Sequence, residues 1–330
     1  MKNTRRAVAL IVGVALFVFG FAACGGDGQN NAAGDGSFDI GIIQLMEHPA
    51  LDAAREGFMA ALADEGIDAR FDYQNAQGDS ATLSTISQRF VNNNVDLVLA
   101  IATPSAQNIA SETTEIPIVG TAITNYVVAR LVESNEVPGG NVTGASDMNP
   151  VEAQINMIPE FLPGIQTLGI LYSSNEPNSV YQAALAREFA AAIGLSIEVG
   201  TVTTTADVQQ AALSLANRVD AIYIPTDNTL ANAMSVVAQI SLETDTPVFA
   251  AEENMTMGGG VATLSVNYFE LGYQSGLMAA QILRGEGDPA TMPIQWAESY
   301  NYIVNGEMVE ALGLTVPAHL TDFIWFPDED

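Results

Sequence analysis

A short apolar run, a polar break and an amphipathic helix occur twice in this chain at matched spacing, and that duplication limits what it can fold into. Ile40-Gly41-Ile42-Ile43 is the uninterrupted apolar segment that a strand buried on both faces requires. It stops at Glu47-His48-Pro49, after which Leu51, Ala54, Phe58, Ala61 and Leu62 recur at helical spacing. Gly41 is followed 25 residues later by Gly66, and Gly169 is followed 25 residues later by Gly194. Each second glycine is placed to end a helix in the left-handed conformation before a strand, at 69–73 and 196–200. Matching strands are predicted at 95–99 and 219–223, then at 116–120 and 246–250. These later landmarks drift by several residues, so the duplication is structural and not a tight repeat. Two βαβαβαβ halves predict an α/β fold of two Rossmann-like lobes with parallel sheets. Ligands in such sheets lie beyond the carboxyl ends of the strands.

The first 24 residues read as an address. Lys2, Arg5 and Arg6 precede an apolar run from Ala7 to Ala23, which closes on Phe21-Ala22-Ala23-Cys24. This resembles a bacterial lipoprotein signal, with Cys24 lipidated as the mature N-terminus. The competing reading is an uncleaved anchor, because 17 apolar residues are near the lower limit for a span. The only cysteine in the chain falls at the end of the run, which favours the lipoprotein. Residues 25–37 are small and polar and read as a flexible tether. Beyond the signal stand seven Arg and no Lys against 39 Asp and Glu, a formal charge of −32. Such a field argues against nucleic acid and anionic lipid surfaces as partners.

The chain after residue 38 divides into an N-terminal lobe, 38–143 plus 267–297, and a C-terminal lobe, 144–266 plus 298–330. The first crossing is expected at Pro138-Gly139-Gly140-Asn141-Val142-Thr143-Gly144. A helix from Asn267-Tyr268 to Leu283 and an extended stretch 294–304 return the chain and cross again. About three crossings result, an arrangement suited to hinge closure. Polar segments follow the strands along one edge: Thr103-Pro104-Ser105, Thr121 to Tyr126, Ser174-Asn175-Glu176-Pro177-Asn178-Ser179, Thr226-Asp227-Asn228 and Glu252-Glu253-Asn254. Thr103 is placed to cap a helix whose first turn holds Pro104.

Glu47-His48-Pro49-Ala50-Leu51-Asp52, Ala102-Thr103-Pro104, Gly140-Asn141-Val142-Thr143-Gly144, Pro225-Thr226-Asp227-Asn228 and Leu271-Gly272 with Ile282-Leu283-Arg284-Gly285 together resemble one family. It is the substrate-binding lipoproteins of bacterial ABC importers associated with tryptophan and tyrosine. The resemblance covers nearly all of 38–320. It implies the type I periplasmic-binding-protein fold, a ligand enclosed between the lobes, a permease as partner, and no cofactor. Two departures, Thr124-Asn125-Tyr126 and Asn267-Tyr268-Phe269, each lack a carboxylate that such proteins often carry near the cleft.

An amino-acid ligand makes three demands. Its carboxylate needs N–H and hydroxyl donors, which Thr103, Ser105 and Thr121 beside a helix N-terminus can supply. Its ammonium needs a carboxylate, for which Asp227 is the first candidate and Glu47 and Glu252 stand in reserve. Its side chain needs an apolar slot, for which Met46, Tyr126, Tyr172 and Tyr268 are available. Ser174, Asn175, Asn178, Ser179, Asn228 and Asn267 complete the candidate lining. Plainer readings stand beside these: Asp227 and Ser179 as helix caps, Asn175 and Asn178 as turn residues, Tyr172 as core, Glu252-Glu253 as solvated, Glu47-His48 as loop-shaping.

Two His, no cysteine beyond Cys24 and no glycine-rich loop after the first strand leave catalysis and metal binding without a residue set. A monomeric binding protein is expected. The alternatives are a sugar or nucleoside binder on the same fold, or a sensory lipoprotein. Mass spectrometry of the mature protein from its native host should find Cys24 lipidated at the N-terminus; a chain beginning at Met1 would overturn the signal assignment.

Overall fold

The computed structural model describes residues 37–297 and 299–327. The signal peptide, Cys24 and residues 25–36 of the tether lie outside the described residues. The first lobe opens with β1 (Phe38–Gln44), α1 (Pro49–Asp64), β2 (Ala69–Asn75), α2 (Ser80–Asn93), β3 (Leu97–Ile101), α3 (Thr103–Glu112), β4 (Ile118–Ile123) and β5 (Val142–Ser146). The second follows with α4 (Val151–Phe161), β6 (Thr167–Ser173), α5 (Pro177–Ala192), β7 (Ser196–Val202), α6 (Val208–Ala216), β8 (Ala221–Ile224), α7 (Asn228–Asn232), α8 (Met234–Thr244), β9 (Val248–Ala250), α9 (Glu253–Met257) and β10 (Ala262–Ser265). The chain then returns as α10 (Tyr268–Leu283) and β11 (Gln295–Trp296), and crosses back as β12 (Asn301–Asn305), α11 (Gly306–Ala311) and β13 (Ile324–Phe326).

The duplicated landmarks give duplicated sheets. In the first lobe the order is β2-β1-β3-β4-β5-β11, all parallel, and in the second β7-β6-β8-β9, also parallel. Gly66 and Gly194 end α1 and α5 at φ 69° and 85°, the positive values that a glycine adopts without a Cβ clash. The second lobe adds a mixed sheet, β10-β12-β13, in which β10 and β12 are antiparallel. The Val261 N–H to Val248 O bond, 2.7 Å, joins it to β9.

Three sequence expectations are corrected. Residues 138–144 are not the first crossing: Val142-Thr143-Gly144-Ala145-Ser146 is a fully buried strand on β4, and the chain leaves the lobe only at 147–150. Its small side chains carry no apolar run, so only the neighbouring strand reveals it. The stretch 294–304 is two short strands in different lobes, β11 on β5 and β12 on β10. Thr103 is the first helical residue of α3 and not its cap; that place falls to Ala102, at φ 79°.

What returns the chain to the first lobe is a close helix pair. α10 lies on α1, and the approach is so tight that a methyl on Gly272 would overlap the Ala54 carbonyl, and one on Gly57 the Phe269 carbonyl. The pair carries the Met46–Pro49 loop and the hinge residue Tyr268 at neighbouring helix starts. Gly272→Ala is therefore expected to cost about 1–3 kcal/mol by overpacking, read as a lowered midpoint in denaturant unfolding.

Candidate functional site

The two sheets present their carboxyl edges to each other, and the lobes touch there. His48 Nε2 lies 3.0 Å from Asn228 Oδ1, Asn232 Nδ2 donates to the Glu47 carbonyl at 3.2 Å, and Gln182 Nε2 donates to Thr124 Oγ1 at 3.2 Å. Between them is a narrow cavity. His48, Leu51 and Ala122 line it from the first lobe, Asp147 and Tyr268 from the hinge, and Asn178, Thr226, Asp227, Asn228, Ala231 and Glu252 from the second.

Charge is the outstanding property of this junction. Asp147, Glu176, Asp227 and Glu252 are all buried, at 1–4% exposure, and no Arg or Lys is buried among the described residues. The arginines are spent at the surface, as in Arg55–Asp52, Arg70–Asp39 and Arg284–Glu65. Asp227 Oδ1 accepts the Leu230 N–H at 2.9 Å, capping α7, and Oδ2 accepts the Ser173 N–H at 2.6 Å. Glu252 is buried, not solvated as expected; its two oxygens accept the N–H groups of Met255 and Asn254, both at 2.7 Å. An acid beside Glu253 has no sequence signal for burial; only the packing of α9 encloses it. Glu253 itself is half-buried. Glu176 takes the Thr229 N–H at 2.9 Å and Asn228 N–H at 3.1 Å. Asp147 differs, for its partners are two hydroxyls: Thr124 Oγ1 at 2.9 Å and Tyr268 OH at 3.1 Å.

Burial pushes the Asp147 carboxyl up to about 6 and the Glu252 carboxyl up to about 8. It raises Asp227 too, with the Glu176 charge adding to the effect. His48 is driven down by burial, against the opposing pull of the Asn228 bond and the Glu176 and Asp52 charges. Since Asn228 Nδ2 donates to Glu176, its Oδ1 accepts, and the neutral His48 ring carries its proton on Nε2. Nδ1 is left as a buried acceptor without a protein partner.

The first lobe carries buried donors at the start of α3 and the end of β4. Thr103 Oγ1, Ser105 Oγ and Thr121 Oγ1 are buried and have no hydrogen-bond partner in the protein, and no side chain caps the α3 N-terminus they surround. Thr121 belongs to β4 rather than a loop, one residue before the cavity-lining Ala122. Ala102 and Ala122 end adjacent strands at φ 79° and 53°. For Ala102, with ψ 151°, this is a region natural to glycine alone, a local strain of about 1–3 kcal/mol.

Other predicted residues lie elsewhere. Tyr126 is in the first core, its OH on the Ala145 carbonyl. Tyr172 packs against the second core. Ser174 and Asn175 are exposed and tie down the turn through the Val202 and Thr203 carbonyls. Met46 and Glu47 border a surface groove with Asn232. Asn267 caps α10 and lines a separate surface pocket with Glu270 and Gln274. Ser179 donates to the Thr226 carbonyl, as does Asn178, whose Oδ1 remains free. Asp147 was missed from sequence; a lone acid in Ala145-Ser146-Asp147-Met148 offers no motif, and only its place at the crossing distinguishes it.

Two parallel-sheet lobes, joined by several crossings and closing on a polar cleft, define a binding protein of the type I periplasmic architecture. The chain belongs to the ABC transporter substrate-binding protein family, whose model matches residues 39–322. Its members are extracytoplasmic solute-binding proteins, not enzymes. A tyrosine-binding protein of Clostridioides difficile is 33% identical over 327 residues, 95% of this chain and 94% of that protein. An ABC domain from Streptococcus pneumonia, solved in complex with L-Trp, matches with TM-score 0.85 at 34% identity, over 88% of this chain and 99% of that one. A ligand-free, open substrate-binding protein with adhesive properties from Clostridium difficile matches with TM-score 0.68 at 38% identity, over 88% of this chain and 100% of that one.

The raised Glu252 value has a definite consequence for stability. Between its unfolded value of 4.5 and its folded value of about 8, the folded state holds more protons than the unfolded one. Stability from this group is complete below 4.5 and is lost as pH rises through 8. The groups facing it are Glu253, Asn254, Met255 and Tyr268. In ligand-free protein, Glu252→Gln should flatten the fall in melting temperature between pH 5 and 9; an unchanged slope would place the dependence on other groups.

Proposed function

We propose that this chain is a lipid-anchored binding protein that captures an aromatic amino acid, tyrosine or tryptophan, between its lobes and delivers it to an ABC importer. The observation that carries this reading is the charge pattern of the cleft. Four buried acids, with no Arg or Lys buried among the described residues, leave carboxyl acceptors that an ammonium can use, and pairing with one of them recovers much of the cost of taking that ammonium out of water. The unpartnered hydroxyls of Thr103, Ser105 and Thr121 at the α3 N-terminus suit an anion. A zwitterion answers both. Leu51, Ala122, Ala231 and the ring of Tyr268 supply the apolar part of the lining. Asp227, Asn228, Asn178 and Glu252 belong to the second lobe and Thr103, Ser105 and Thr121 to the first, so a ligand across the gap favours the closed state by differential affinity. The higher match to the L-Trp complex than to the ligand-free open relative, at lower identity, supports a closed arrangement here.

A thermal-shift screen of protein unfolded and refolded to strip retained ligand tests this. L-Tyrosine or L-tryptophan at about 1,000 times its dissociation constant should add about 4 kcal/mol of stability, a rise of several degrees. A response confined to sugars or nucleosides would reassign the chain to that class of binder on the same fold.

A further inference from the structure

The four buried acids are not equivalent. Glu252 uses both oxygens on backbone N–H groups at the start of α9, Asp227 uses one on the start of α7 and the other on the Ser173 N–H at the end of β6, and Glu176 binds the N–H groups of Asn228 and Thr229. Their oxygens are occupied by backbone N–H groups, and moving Asp227 or Glu252 would uncap α7 or α9. Asp147 has no such duty. Its carboxylate is held by two hydroxyls, which can rotate to suit a newcomer and leave each oxygen with acceptor capacity. It lines the cavity, as does Asn178 with its unpartnered Oδ1.

Its position is also distinct. Asp147 is the first residue of the crossing after β5, and Tyr268 follows the second crossing, so their bond ties two hinge strands together. The adjacent Asn149 does the same, accepting the Val266 N–H at 2.9 Å and donating to Thr226 Oγ1 at 3.4 Å. Thr124, the other partner of Asp147, accepts from Gln182 across the cleft at 3.2 Å, and Gln182 Oε1 accepts from Thr226 at 3.2 Å. A chain of hydrogen bonds thus runs from Asp147 through both lobes and back to the hinge.

We propose that Asp147 is the residue that takes the ligand's ammonium, and that through Thr124 and Gln182 it ties occupancy of the cleft to contact between the lobes. This rests on the amino-acid reading above. It moves the ammonium away from Asp227, which the helix-start motif singles out in sequence but whose oxygens belong to the backbone.

The test is a cycle of protein and ligand changes in calorimetry. The probes are L-tyrosine and 3-(4-hydroxyphenyl)propionate, which lacks only the amine. In the wild type the amine-free probe should bind at least 100-fold more weakly. Asp147→Asn should lose about 100-fold toward L-tyrosine and less than threefold toward the amine-free probe, the pattern of a lost charge partner. Asp227→Asn should weaken both probes by the same factor. Asp147→Ser serves the same purpose if the Asn variant fails to fold. An unchanged L-tyrosine affinity in a folded Asp147 variant, or an amine-selective loss in Asp227→Asn, overturns the assignment while leaving the function intact. Binding of neither L-tyrosine nor L-tryptophan by the wild type overturns the functional reading, and this assignment with it.

Discussion

Burying four carboxyl groups at one junction, with no Arg or Lys buried among the described residues, is the constraint on which this molecule turns. Each acid must be held by donors or it would not stay. The donors are backbone N–H groups at the starts of short helices and the end of β6 on the second lobe, and the hydroxyls of Thr124 and Tyr268. These bonds set the strand-end loops in place before any ligand arrives. They also leave the cleft with acceptors to spare, while arginines such as Arg70 on Asp39 and Arg218 on Glu198 pair at the surface.

The rest of the architecture places that junction. The α1–α10 pair, brought together where Gly57 and Gly272 have no side chains, fixes the return of the chain to the first lobe. It sets His48 at the start of one helix and Tyr268 at the start of the other. Ala102 and Ala122 hold strained backbone at the ends of β3 and β4. Such strain persists only where surrounding packing imposes it, and both alanines are buried at the edge of the cleft. The first lobe therefore offers a rigid donor-lined edge, and the second an edge of capped acids. The hinge between them is threaded by side-chain bonds of Asp147 and Asn149.

Local pattern was enough for the sequence to determine two α/β lobes with parallel sheets, because most buried strands carry their own apolar run and helices their own face and stop glycine, as at Gly66 and Gly194. It likewise marked the donor cluster at Thr103, Ser105 and Thr121, since hydroxyls beside a proline-led helix start have a local signature. Tertiary structure alone decided the rest. β5 is a strand only because β4 lies beside it. Tyr126 is core because the sheet beneath it is built of Gly120 and Gly144. Glu252 is buried because α9 folds over it, and Asp147 matters because two crossings far apart in the chain meet there. Periodicity is a property of neighbours in sequence, whereas the burial of a charge depends on which distant segments close around it.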